Sequence, residues 1–296
     1  MAENQWFIIC NPVSGKGKGL IALAEMREIF QEQHRPFSYE LTKSPKHATQ
    51  IAKEAFDKGF RKFAILGGDG TLNEVINGIP DPALVEIAII PSGTGNDFAL
   101  PLGIPEEPWD AIQTMFFSEV KKVDMMESNG IKTLCFATTG IDIPVVNYCN
   151  SLKHKDKNSY EKGIKKVLPR YKNDEYEIIA DGKSFSVKAV FVGVVNGGIL
   201  ASGLSLCPPA SSTDGKIDMV IIQSNGLWDS IKKLKALKKG TLFLCDGIKH
   251  ISAKEFEIIP KNLRVFDLDG ELYESNSLKI KILPKALKIV GAKTGD

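Results

Sequence analysis

Hydrophobic positions in the first 117 residues fall into short continuous runs separated by stretches of helical period. Residues 6–10, WFIIC, read as a buried strand, and NPVSGKGKG follows as a loop. From about Leu20 to Gln33 a helix is predicted, with Leu20, Leu23 and Phe30 on one stripe. FSYEL forms a second strand ending at Thr42, after which Ser44-Pro45 has the form of an N-cap with proline at the first helical position. That helix presents Ala48, Ile51, Ala52 and Ala55 on one face and stops at Gly59. Phe63 to Leu66 is the third strand. Thr71 and Glu74 then have capping-box spacing for a helix with the apolar face Leu72, Val75 and Ile76, ended by Gly78. A fourth strand, Ile87 to Ile90, precedes a helix that begins near Pro108 and carries Trp109, Ile112 and Phe116. This alternation predicts an α/β domain with a mostly parallel sheet and helices on both faces. Ligands of such sheets bind beyond the carboxyl ends of the strands. Three glycine-bearing loops, at 11–19, 67–71 and 91–97, follow strands and are expected on one rim.

The pattern changes after about residue 123. Candidate strands succeed one another at 131–137, 176–179, 185–195, 217–222, 256–259, 263–268 and 278–283, with turns at Pro208-Pro209, Thr213-Asp214-Gly215 and Asp269-Gly270. One helix, Leu227 to Lys239, interrupts them, and the basic stretch 151–172 reads as a surface helix and loop. The expected domains are 1–123 and a mainly antiparallel β domain, 124–296, whose last residues are allowed to pack back on the first.

Composition narrows the function classes. Thirty-eight Lys plus Arg against 36 Asp plus Glu leave +2, too balanced for nucleic-acid wrapping. No run reaches the roughly 18 apolar residues of a membrane span, and the polar start MAENQ is unlike a secretory signal, so a cytoplasmic location is expected. Five scattered cysteines without CxxC suit free thiols in a reducing compartment, and four histidines without HExxH offer little basis for zinc.

The glycines exclude two nucleotide fingerprints. NPVSGKGKG lacks the GK[ST] ending of a Walker A loop, and GGDGTLN breaks the spacing G-x-G-x-x-G. What remains is a loop in which Gly67, Gly68 and Gly70 let backbone approach a polyanion and a following helix N-terminus favours phosphate. Asp69 sits awkwardly beside phosphate unless a divalent cation intervenes, which suggests magnesium-nucleotide chemistry. The alternative is a tight strand–turn–helix junction with Asp69 satisfying local amides.

In order along the chain, NPVSGKGKG, GGDGTLNEVINGI, PSGTGNDFA, GGILASGLSLCPPASSTDGKIDMV and DLDGE resemble the diacylglycerol kinase catalytic-domain family, most of all its small soluble bacterial lipid kinases, and are similar to sphingosine kinases. The motifs cover positions 11 to 271. The resemblance implies an ATP-binding first domain, a β-rich second domain that shapes the lipid cleft, and phosphorylation of a lipid hydroxyl, diacylglycerol to phosphatidic acid first among candidates. ATP and Mg2+ are the implied cofactors. By similarity, Asn11, Thr42, Gly67, Gly68, Asp69, Gly70, Thr71, Asn73 and the amides around Gly93 and Thr94 line the nucleotide site. Lys16 and Lys18 either approach the phosphates or are solvated loop lysines. Asp69, Asp97 and Asp124 match acidic positions that organise catalytic magnesium largely through water. Asp124, in KKVDMME where the domains join, has a junction anchor as its alternative.

The late DGE element implies Asp269 as the base that activates the acceptor hydroxyl, with Glu271 supporting it and Asp267 as the nearby decoy. Without the resemblance, Asp-Gly is an ordinary hairpin turn. Related bacterial kinases hold a structural magnesium, here implied at Asp214 with the carbonyls of Ser211 and Lys216; a plain turn is the alternative. One departure stands out: Asn196-Gly197-Gly198 is followed by Ile199 where the family often has a third glycine. A helix over GLWDSIKKLKALKKG places Trp228, Ile231, Leu234 and Leu237 near one side with five lysines around them, fit for transient contact with an anionic membrane surface or for packing on the β domain. The implied partners are a lipid at the membrane surface and no nucleic acid, with a homodimer left open. The rival readings are a polyprenol or sphingoid-base kinase, an NAD kinase, and an ATP- and lipid-binding regulatory module without catalysis.

Overall fold

The computed structural model describes residues 2–152, 159–200 and 203–293. Part of the basic stretch 151–172 (positions 153–158) and positions 201–202 of the GGILASGLSL motif lie outside the described residues. The chain divides into two compact units, Met1–Asp124 with Lys285–Asp296, and Met125–Pro284.

In the first unit the chain runs β1 (Trp6–Cys10), α1 (Lys18–Glu32), β2 (Phe37–Leu41), α2 (His47–Asp57), β3 (Lys62–Gly67), α3 (Asp69–Gly78), β4 (Glu86–Pro91), α4 (Pro108–Phe117) and the start of β5 (Val120–Ser128). β1, β3 and β4 are continuous apolar runs because both faces of the sheet are covered. The strands pair in parallel in the order β2-β1-β3-β4. α1 packs with α4 and α2 with α3, one pair for each face. Strand order reverses between β1 and β3, which places the loops following those two strands at the topological switch point, the usual ligand position of such sheets.

Three local expectations change. α1 buries Gly19, Ala22, Leu23, Met26 and Phe30 while Leu20 faces solvent, because Gly19 comes close to the carbonyl of Asn11 and rotates the stripe. α4 buries Ala111, Ile112 and Met115 and leaves Trp109 outside. α2 begins at His47, not at Pro45: Lys46 is left-handed at φ 66°, and Glu74 accepts from the amides of Lys46 (2.9 Å) and Ala48 (3.1 Å). Glu74 therefore caps a neighbouring helix instead of its own, and α3 starts at Asp69 after Gly68.

The second unit continues with the end of β5, β6 (Ile131–Thr133), β7 (Phe136–Gly140), α5 (Asp142–Asn150), α6 (Ser159–Val167), β8 (Asp174–Ala180), β9 (Lys183–Ala189), β10 (Phe191–Val195), β11 (Ile199–Leu200), β12 (Leu204–Ser205), β13 (Ile217–Ile222), α7 (Leu227–Lys238), β14 (Ile248–Ala253), β15 (Glu255–Pro260), β16 (Val265–Leu268), β17 (Glu271–Glu274) and the first part of β18 (Leu278–Val290). One antiparallel sheet runs β14-β13-β10-β7-β16-β17; in another, β9, β8, β15 and β18 pair in turn. Tyr176, Ile178, Val192, Val194, Met219, Phe256, Phe266 and Ile280 from both sheets share one core. The run 185–195, expected as one strand, breaks at Val190, where the chain leaves one sheet for the other. α5 and the strands β5, β14 and β17 went unanticipated; β17 is mostly exposed at an edge, so its apolar signal is weak. The remainder of β18 belongs to the first unit, where Lys288 and Ile289 pair in parallel with Glu86 and Ile87 of β4.

Candidate active site

Glycine–glycine contact brings the three loops of the first unit together. A Cβ on Gly93 would stand 2.5 Å from the Cα of Gly68, so the second and third loops meet backbone to backbone. A Cβ on Gly15 would stand 2.1 Å from the carbonyl oxygen of Ser92, tying the first loop to the third. Gly67 is equally confined, with Thr71 Cβ at 2.5 Å, whereas Gly70 faces open space. The α3 N-terminus opens there, and its first amides have no intrahelical partner.

The side chains set the shape. Asn11 donates from Nδ2 to Thr71 Oγ1 (3.1 Å) and accepts from the Val13 amide, linking loop one to α3. Thr42 donates its amide to the Cys10 carbonyl at the end of β1. Asn73 accepts from Asn77 one turn later. Asn96, left-handed at φ 56°, bonds both the amide and the carbonyl of Gly93 and holds the third loop's bend; Thr94 is exposed at its tip. Lys16 and Lys18 are exposed on the first loop. Ser92, which sequence reasoning passed over, buries a hydroxyl without a protein partner at the junction of loops one and three.

Asp69 and Asp97 converge. A Cβ on Gly95 would stand 3.1 Å from Asp69 Oδ2 and 3.3 Å from Asp97 Oδ2, so two carboxylates flank one point on the glycine rim. Asp69 Oδ1 accepts from the Phe98 amide at 3.2 Å, leaving Oδ2 directed toward Gly95. Paired oxygens beside free helix amides fit a divalent cation carrying phosphate. Asp124 is fully buried on β5, and its Oδ1 accepts from the Lys285 amide at 2.7 Å. That bond is the one expected of an anchor.

In the second unit, Asp269 occupies a left-handed turn at φ 51°. Its carboxylate accepts from three successive amides, Leu134 (2.6 Å), Cys135 (2.8 Å) and Phe136 (3.0 Å). Both carboxylate oxygens are thus held by backbone donors, which fixes the group's orientation. Glu271 is exposed at the start of β17. Asp214 is exposed and closes its turn by accepting from the Lys216 amide at 3.0 Å, while Ser211 Oγ lies 3.1 Å from Thr213 Oγ1. Gly197 and Gly198 are left-handed, and the Gly198 carbonyl accepts from Leu206 and Cys207.

Behind Asp269 lies a buried acid pair that the sequence did not single out. Asp142 accepts from Thr138 and Tyr160 and is hydrogen-bonded to Asp267, which accepts from the Gly270 amide at 2.7 Å. Burial pushes both carboxyls above the usual carboxylate range, and the charge of Asp142 pushes Asp267 up further. Asp267 is thus the proton-bearing partner, and the stability this gives is complete below about pH 4 and is lost as pH rises toward the raised value. Asp267→Asn keeps an acceptor for Gly270 and a donor for Asp142 without titrating. Urea unfolding at a series of pH values above about 4 should show the native chain losing up to about 1.4 kcal/mol per pH unit relative to this variant. Parallel pH profiles would refute the shared proton. Tyr160 also lines an apolar cavity formed by Ile141, Leu168, Leu200, Leu206, Leu234 and Leu237.

Sequence profiles divide the chain at nearly the same place. The diacylglycerol kinase catalytic domain matches residues 5–128, and the YegS C-terminal NAD kinase beta sandwich-like domain matches residues 135–291. The diacylglycerol kinase of Bacillus subtilis (strain 168) is 30% identical over 274 residues, 89% of this chain and 88% of that protein. The chain belongs to the diacylglycerol kinase family. It is a lipid kinase of that family, and kinase chemistry implies ATP as phosphoryl donor. The crystal structure of a diacylglycerol kinase from Bacillus anthracis str. Sterne superimposes with a TM-score of 0.80 at 26% identity, covering 98% of each chain. The α/β and antiparallel-β architecture is therefore that of this family. No helix among the described residues is long and apolar enough to cross a membrane.

Proposed function

We propose that this kinase transfers the γ-phosphoryl group of ATP to the hydroxyl of diacylglycerol, giving phosphatidic acid and ADP. The observation that carries the donor half is the pair Asp69–Asp97 flanking Gly95 where three glycine loops meet. Loop amides and the α3 N-terminus hold the phosphates, and Asn11 and Thr71 fix the rim. Asp69 and Asp97 are the residues that would hold Mg2+, and Asp124 is assigned to the same ion by the family resemblance alone. When bound, Mg2+ neutralises charge on the transferring group. The acceptor oxygen forms its bond to the γ-phosphorus as the bond to the β-phosphate oxygen breaks, and Asp269 takes the hydroxyl proton. Its three amide donors fix the carboxylate in one orientation, and Glu271 supports the site.

The apolar cavity of the second unit favours a lipid over NAD, because hydrocarbon gains roughly 25 cal/mol per Å2 buried there and a dinucleotide gains little. A sphingoid base or polyprenol is the second reading on the same observation. Diacylglycerol, sphingosine, polyprenol and NAD, each offered with γ-labelled ATP, separate these acceptors. Label in diacylglycerol alone is expected, and label in NAD alone would overturn the assignment.

Approach to the bilayer is proposed for the exposed side of α7. Leu237 and Lys233 are buried, whereas Trp228 (83% exposed), Leu227 and Leu244 face solvent with Lys232 and Lys235. The expected stripe is thus split: Trp228 leaves it for the outer face. Trp228→Ser should weaken co-sedimentation with anionic vesicles several-fold, and binding should fall with salt. Unchanged sedimentation would remove this helix from the contact.

A further inference from the structure

The sandwich unit carries a side-chain cluster with no part in phosphoryl transfer. Cys207, Asp218 and His250 each offer one ligand atom, and these atoms lie within 4.8 Å of one another. Asp218 and His250 meet because β13 and β14 pair with Val220 opposite His250 and Asp218 opposite Ser252, which puts both residues diagonally on one face. His250 Nε2 is 2.7 Å from Asp218 Oδ1. Cys207 is brought in from the preceding loop. Gly198, at φ +80°, accepts the amides of Leu206 and Cys207, and a Cβ there would stand 2.3 Å from the Cys207 carbonyl oxygen. A tight backbone contact therefore fixes where the thiol sits.

The geometry points to a divalent metal site of zinc type, with Cys207, Asp218 and His250 as ligands. Thiolate, carboxylate and imidazole are the three protein ligand types of zinc, at about 2.0–2.3 Å, which in a tetrahedral site separates ligand atoms by about 3.3–3.8 Å. The present spacings reach that arrangement by side-chain shifts of about 1 Å. Cys207 and Asp218 are both buried, so in the metal-free protein the thiol keeps its proton, and a 2+ ion is what would let thiolate and carboxylate stand side by side there. Metal entry releases the thiol proton and breaks the His250–Asp218 hydrogen bond. His250, partly exposed, is the open side, and a water completes the fourth position. The donor set includes sulfur and nitrogen, which distinguishes it from the oxygen-only magnesium site that the resemblance implies at Asp214. An ion here clips the edge strand β14 and β13 to the segment carrying Leu206, a wall residue of the apolar cavity.

The site is independent of the kinase reading and is tested without activity. The full-length, metal-stripped protein is titrated with Co2+ and with Zn2+ against a chromogenic chelator. One equivalent per chain should bind, with a thiolate-to-cobalt charge-transfer band, and Zn2+ should raise the thermal midpoint. Loss of an outer-shell partner alone costs about 10–100-fold in metal affinity, so Cys207→Ser and His250→Gln should each weaken binding by at least about 100-fold. Asp214→Ala should leave it unchanged. His250→Gln, at the exposed edge, keeps the test decisive if the buried cysteine variant does not fold. Absence of stoichiometric binding, or equal binding without the thiolate band in the His250 variant, would overturn the assignment.

Discussion

Asp269→Asn is expected to lower turnover of the lipid acceptor by about 100- to 10,000-fold, the usual range for loss of a general base. ATP affinity, which the proposed function assigns to the first unit's glycine loops, should stay within a few-fold. The structure adds a second consequence. Leu134 N–H lies 2.6 Å from Asp269 Oδ2 and Cys135 N–H 2.8 Å from Oδ1, so an asparagine must turn its own NH2 toward an amide donor. That leaves a donor unmatched, at about 1–3 kcal/mol. Thermal unfolding measured alongside single-turnover kinetics separates the two effects, because only loss of the base removes phosphoryl transfer from protein that is still folded at the assay temperature. Asp267→Asn is the control. Its carboxyl lies in the same strand but carries the proton of the buried pair, so amidation there changes little charge. Undiminished turnover in the Asp269 variant would eliminate it as the base, and a large loss in the Asp267 variant would move that role two residues upstream.

The other large effect is expected at Asp69. Asparagine retains the Phe98 bond through Oδ1, so the loop should keep its shape. What disappears is the charge beside Asp97 at the point marked by Gly95. Removing one preorganised electrostatic group from an active site costs about 100- to 1,000-fold in rate, and a shifted requirement for magnesium should accompany the loss. Kinetics over a range of magnesium at fixed ATP provide the check. A variant that works near-normally at low magnesium would exclude Asp69 from metal binding.

Much of this arrangement is legible in the sequence because local pattern and final packing agree. α2 and α3 bury the residues their periodicity singles out, and three of the four parallel strands, β1, β3 and β4, coincide with apolar runs covered on both faces. Legibility fails where a residue is used over a distance. Thr71 and Glu74 have the spacing of a capping box, yet Glu74 caps a helix that starts 27 residues earlier, and no local rule distinguishes the two uses. Trp109 and Trp228 sit at helical spacing with core residues and nonetheless face solvent, since an apolar stripe does not specify which of its edges meets the sheet. The same reason hides the chemistry of the second unit. Asp142 and Asp267 are far apart in sequence and neighbours only through the pairing of β16 with β7. Cys207, Asp218 and His250 become a group only through the register of β13 with β14 and the loop contact at Gly198. Asp-Gly at 269–270 reads as a turn from sequence and is one; that its carboxylate collects three amides 133 to 135 residues away is visible only in the fold.

The most direct measurement is the fate of the γ-phosphate itself. Purified protein is incubated with γ-labelled ATP, magnesium and diacylglycerol in mixed micelles, and label in the organic phase is compared with ADP formed. One labelled phosphate should enter lipid for each ADP, and chelation of magnesium should abolish both. ATP binding with no label in diacylglycerol or any other lipid hydroxyl, from protein shown to be folded, would contradict lipid phosphorylation by this chain.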